Sequence, residues 1–120
     1  MSYTAQEYQA LLARLRQNSE EKFRRFNESL MPGTAQTFGV RTPVLRTIAR
    51  ELLRGDWRGY LDTAREDSHE EILLQGLVTA GAKCSLEEKL QRMRLLIPKL
   101  SNWAQCDMTA GDCKWKERDL

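Results

Sequence analysis

Trp103 and Asp107 stand four residues apart, a spacing that brings both side chains to one side of a helix. An indole face attracts cations and stacks on bases, and a neighbouring carboxylate stabilises positive charge developing in a reaction. The pair therefore reads as a receptor for something cationic or electron-poor. The plainer alternative is a core tryptophan beside an aspartate that complements a helix N-terminus. A second group is Arg41, Arg46, Arg50 and Arg54. The last three follow at four-residue steps along one helix face, where a row of cations could track a phosphate backbone. Its plainer alternative is a solvated face, with Glu51 and Asp56 expected to neutralise the row in part.

Other chemistries find little support. Cys106 sits beside Asp107, whose charge disfavours a thiolate, and a Cys–His pair would have to use His69, the one histidine. His69 is expected on the surface at the first turn of its helix, where Glu70 and Glu71 suit the helix dipole. There is no glycine-rich phosphate loop. Cys84, Cys106 and Cys113 show no Cys-x-x-Cys spacing, and with one histidine they leave few ligands for zinc. No metal and no cofactor are expected. Three cysteines cannot all pair internally, so free thiols in a reducing, cytoplasmic compartment are the simplest expectation.

The elements that must hold these residues are helical throughout. Tyr8, Leu11, Leu12 and Leu15 form one stripe over about 4–17. Asn18 or Ser19 caps a second helix over about 20–30, with a stripe of Phe23, Phe26 and Leu30, ended by Pro32 and Gly33. A third runs from Pro43 to Arg54, with Thr42 as cap and Pro43 in the first turn, where a missing N–H is harmless. Val44, Leu45, Ile48, Ala49, Leu52 and Leu53 form its inner face. Asp56 caps a short fourth helix carrying Trp57, Tyr60 and Leu61. Ser68 caps a fifth, about 69–83, that is apolar over most of its circumference and therefore central. Its Gly76 and Gly81 point to close approach by a neighbour. Ser85 to Glu88 reads as a capping box for a sixth helix, with Leu86, Leu90, Met93, Ile97 and Leu100 at helical spacing and Pro98 near its end. A seventh segment runs from Trp103 to about Gly111. No stretch alternates strictly in the manner of a strand.

The whole chain fits one domain. Its 120 residues can bury roughly two-thirds of their unfolded surface. With 41% apolar and 30% charged residues and 3 prolines, the composition is that of a globular protein rather than a disordered one. Nothing reaches the roughly 18 consecutive apolar residues of a membrane span, and the start lacks a signal peptide's basic and apolar segments. Lys plus Arg is 19 and Asp plus Glu 17, a net charge of +2, so any basic surface must come from how charges are arranged.

Two stretches together carry a resemblance. Gly39-Val40-Arg41-Thr42-Pro43, continued by Leu45-Arg46 and on to Glu51-Leu52, resembles the N-terminal signature of the AlkD-like DNA alkylation repair proteins. Ser101 to Asp107 resembles that family's Trp-x-x-x-Asp active-site helix. Between and before them, Glu70 to Gly76, Lys83, Lys22-Phe23, Phe26-Asn27 and Leu30 fit in place and length. The resemblance spans nearly the whole chain but about the N-terminal half of a usual member. It implies an all-α fold of six to seven helices, stacked as antiparallel hairpins in a HEAT-like solenoid. Residues 1–120 would be a single helical-repeat domain, the N-terminal part of a larger one.

The same resemblance implies a glycosylase that removes cationic alkylated purines from duplex DNA held on a concave basic face, without drawing the base into a tight pocket. Asp107 would match the carboxylate that stabilises the oxocarbenium-like sugar and positions water, and Trp103 the aromatic against the lesion nucleotide. A further cleft aromatic and a basic residue of the family lie beyond the position matching Leu120, so DNA binding is the firmer expectation and catalysis by these 120 residues the weaker. The alternative is a non-catalytic helical-repeat protein that binds DNA or another protein. An open solenoid end would also favour self-association.

Overall fold

The computed structural model describes residues 3–30 and 37–100, apart from the side chains of Asn27 and Leu30. Among these residues there are six α-helices and one 3-10 turn, and no strand. They are α1 (Ala5–Gln17), α2 (Glu21–Leu30), α3 (Thr42–Arg54), α4 (Trp57–Thr63), α5 (His69–Gly81) and α6 (Leu86–Leu96), with the 3-10 turn over Ile97–Lys99. The fold is all-α, as expected. The expected seventh segment lies outside the described residues, as do Pro32 and Gly33, the expected end of the second helix.

Local chemistry sets most of the helix ends. Thr4 caps α1 in a complete capping box with Glu7, and Asp56 caps α4 by accepting from the Gly59 N–H. Ser68 does the same for α5 through the Glu71 N–H. Two expectations are corrected. The cap residue of α3 is Arg41, which makes no side-chain capping bond, and Thr42 is already helical. Ser85 accepts from the Glu88 N–H, but the Glu88 carboxylate does not turn back to complete the box. It grips Arg58 of α4 through two bonds of 2.7 and 2.9 Å instead. The sequence cannot show that competition, because Arg58 arrives from another helix. Pro98 falls where α6 tightens into the 3-10 turn.

α5 is the centre. Every residue from His69 to Ala80 is buried, and α3 lies along it more extensively than any other helix, followed by α6. Leu45, Ile48 and Ala49 of α3 meet Leu73, Leu74, Leu77 and Val78 of α5 in one cluster with Tyr8, Leu11 and Leu15 of α1 and Trp57 and Tyr60 of α4. Each fully buried leucine of that kind contributes about 1.5–3 kcal/mol from its removal from water. Gly81 confirms the expected close approach: a Cβ there would stand 2.9 Å from Leu53 of α3.

Two apolar stripes read from periodicity are less buried than expected. Phe26 of α2 is 56% exposed, Leu86 and Leu90 on α6 are 40% and 41% exposed, and Ile97, at the start of the 3-10 turn, is 61% exposed. On α6 the inward positions go to Leu96 and to Lys89, whose ammonium donates to the Ala80 carbonyl at the C-terminal end of α5. A cation is stabilised there by the free carbonyls of the last helical turn, so the helix turns the leucine stripe sideways.

Candidate nucleic-acid interface

The arginine row belongs to α3, and the turn before that helix determines where it starts. Gly39 adopts φ 74°, a left-handed conformation that glycine enters without steric cost. A Cβ at this point would lie 2.6 Å from backbone atoms of Arg24 and Glu20, and the Gly39 carbonyl accepts from the Glu20 N–H at 3.0 Å. The turn is held from the other side by Glu70. This side chain is fully buried, and its carboxylate accepts from the Thr37 hydroxyl at 2.7 Å and the Phe38, Gly39 and Val40 N–H groups at 2.9, 3.1 and 3.1 Å. A buried anion is tolerable when its lone pairs are filled in this way.

The neighbours of Glu70 extend the polar cluster. Glu71, also buried, accepts from the Tyr8 hydroxyl at 2.7 Å. That hydroxyl in turn accepts from the Arg65 N–H, and burial raises the phenol well above its ordinary range. Gln75 donates to the Arg65 carbonyl and accepts from Lys99. The connection thus runs from α1 through the start of α5 to the 3-10 turn. His69 is 3% exposed, which corrects the expected surface position. Burial pushes its imidazole below the ordinary histidine range, against the opposing charge of Glu70.

With Leu45, Ile48 and Ala49 turned inward, Arg46, Arg50 and Arg54 step around the outer side of α3 by about 40° each. Arg46 is half-buried, and Arg50 and Arg54 are exposed. The two acids expected to neutralise the row are engaged elsewhere. Glu51 pairs with Arg14 of α1. The Asp56 carboxylate accepts from the Tyr3 N–H at 2.8 Å and the Gly59 N–H at 3.1 Å, bonds that hold it below the usual carboxylate range. Among the described residues, Arg50 and Arg54 pair with no carboxylate. Arg41 is engaged by α2 and the residue before it: its guanidinium donates to Glu20 at 2.9 Å and lies 5.1 Å from the centre of the Phe23 ring. Trp103 and Asp107 lie outside the described residues.

Sequence reasoning found the row but missed the buried Glu70 that fixes the turn in front of it. The one available signal was local: three consecutive polar residues opening the most apolar helix in the chain.

The architecture is all-α, with cations along the outer side of α3. The chain belongs to the DNA alkylation repair enzyme family, whose family model matches residues 11–116. Neither the curated proteins nor the solved structures contain a significant match to it. No helix among the described residues is long and apolar enough to cross a membrane.

The burial of His69 has a measurable consequence. Its folded-state pKa is depressed, so below about pH 6.5 the unfolded chain binds the proton that the folded chain refuses. Stability in urea is expected to fall as pH drops from 7 to 5.5, by at most about 1.4 kcal/mol per pH unit from this group. His69→Gln should flatten that slope. Parallel profiles for the two proteins would contradict it.

Proposed function

We propose that this DNA alkylation repair protein binds duplex DNA along Arg46, Arg50 and Arg54 and excises cationic alkylated purines by hydrolysing the bond between base and deoxyribose. The observation that carries the binding is the diversion of Glu51 to Arg14 and of Asp56 to two backbone N–H groups. Arg50 and Arg54, exposed and with Glu51 and Asp56 engaged elsewhere, suit a phosphate backbone, where each contact releases counterions.

The reaction needs little acid catalysis. A purine alkylated on the ring already carries positive charge and leaves as a neutral base, with the bonding electron pair. The sugar is left as an oxocarbenium-like cation, which water then attacks at the anomeric carbon. Asp107 is the carboxylate assigned to stabilise that cation and to orient the water. Trp103, four residues earlier, is assigned to the sugar and backbone of the lesion nucleotide. Both assignments follow from the Trp-x-x-x-Asp pattern and family membership. They make the function an N-glycosidic hydrolase that works through a positioned anion on a helical-repeat cradle.

Binding and chemistry are tested separately. Duplex affinity, followed by fluorescence anisotropy, is expected to fall linearly with salt on logarithmic axes. Arg50→Ala and Arg54→Ala should each weaken it and lower the slope by about 0.9. Absent or salt-insensitive binding would contradict the interface and favour a protein-binding adaptor. For the chemistry, release of 7-methylguanine from methylated duplex should be lost in Asp107→Asn while affinity stays nearly unchanged. Equal release by variant and parent would remove Asp107 from its role.

A further inference from the structure

The α6 flank that turned out exposed has a pattern of its own. Leu86, Leu90 and Met93 on α6, with Ile97 at its C-cap in αR conformation, follow at steps of four, three and four residues, the spacing of the apolar seam of a coiled coil. Leu86, Leu90 and Ile97 are 40–61% exposed, and Met93 is half-buried. Beside this seam, on one edge, stand Glu87 and Arg94, seven residues apart. Both are exposed, and neither has an ionic partner among the described residues. The opposite edge is occupied by Lys89 and Leu96, both buried.

We propose that this flank is a self-association surface, on which a second copy of the chain packs its own α6 antiparallel across a two-fold axis. In that arrangement Leu86 meets the partner's Ile97, and Leu90 meets the partner's Met93. The same axis brings Glu87 of each chain beside Arg94 of the other, because antiparallel helices pair like edges with like edges. The surface is thus complementary to itself in both shape pattern and charge, as a two-fold interface requires. A parallel pairing would set Glu87 and Arg94 against the Lys89 and Leu96 edge, which is already buried, and would leave both charges unmatched. The seam spans about 16 Å along the helix. One helix face of that length falls short of the roughly 1,000 Å² of a stable interface, so the dimer is weak and depends on protein concentration.

The test is sedimentation equilibrium on the whole chain in reducing buffer, over a concentration series, with circular dichroism to confirm that each variant folds. The parent is expected to shift from monomer towards dimer as concentration rises. Leu90→Glu should abolish the shift. Glu87→Arg and Arg94→Glu should each weaken the dimer about tenfold, since two symmetry-related pairs turn from attraction to repulsion. The double variant Glu87→Arg with Arg94→Glu should recover the parental association. A monomer at every concentration, as would follow if residues after Leu100 of the same chain cover the flank, overturns the proposal. So does a dimer indifferent to Leu90→Glu, or one that the double variant fails to restore.

Discussion

The carboxylate of Glu70 is the contact on which the placement of α3 depends. It sits on the first turn of the central helix, away from water, and takes four hydrogen bonds from residues 37–40. Three of these donors are backbone N–H groups of a tight turn. Without the carboxylate the Phe38 and Val40 N–H groups would lose this acceptor, at about 1–3 kcal/mol for a buried donor left unpaired, while the Gly39 N–H would keep its 3.1 Å bond to the Thr37 hydroxyl. The turn is fixed from its other side by the Gly39 carbonyl and the Glu20 N–H. α3 leaves this turn at a set point and angle, and its apolar face then seats on α5.

From that placement follows the charge arrangement. A net charge of +2 gives almost no long-range field, so a cationic surface requires that acids be moved aside. Glu51 is drawn to Arg14 on the α1 side, and Asp56 is used as a helix cap and as the acceptor for Tyr3. Neither contact adds much stability as an exposed ion pair or a single cap. Their effect is to leave Arg50 and Arg54 without an ion-pair partner among the described residues.

Features decided within a few residues were legible in the sequence. Caps at Asp56 and Ser68, the inward face of α3 and the central position of α5 all depend on neighbours along the chain. Features decided by distant elements were not. Lys89 displaces the leucine stripe of α6 because the carbonyls at the end of α5 are close enough to bind it. His69 is buried although it opens its helix, which no local propensity encodes. Glu88 abandons its capping box for Arg58 of another helix. The cationic row was visible from four-residue spacing alone, but the loss of its neutralising acids was a tertiary event. Trp103 and Asp107, the pair that spacing first brought forward, rest on their motif and on family membership.

Amide hydrogen exchange at Phe38, Gly39 and Val40 reports on the anchoring of the turn by Glu70. If Glu70 anchors the turn, these three amides exchange as slowly as those of α5, and in Glu70→Gln they become fast while α5 stays protected. Rapid exchange at the three amides in the parent protein, as in an ordinary surface loop, would contradict the claim that this buried carboxylate sets the start of the arginine-bearing helix.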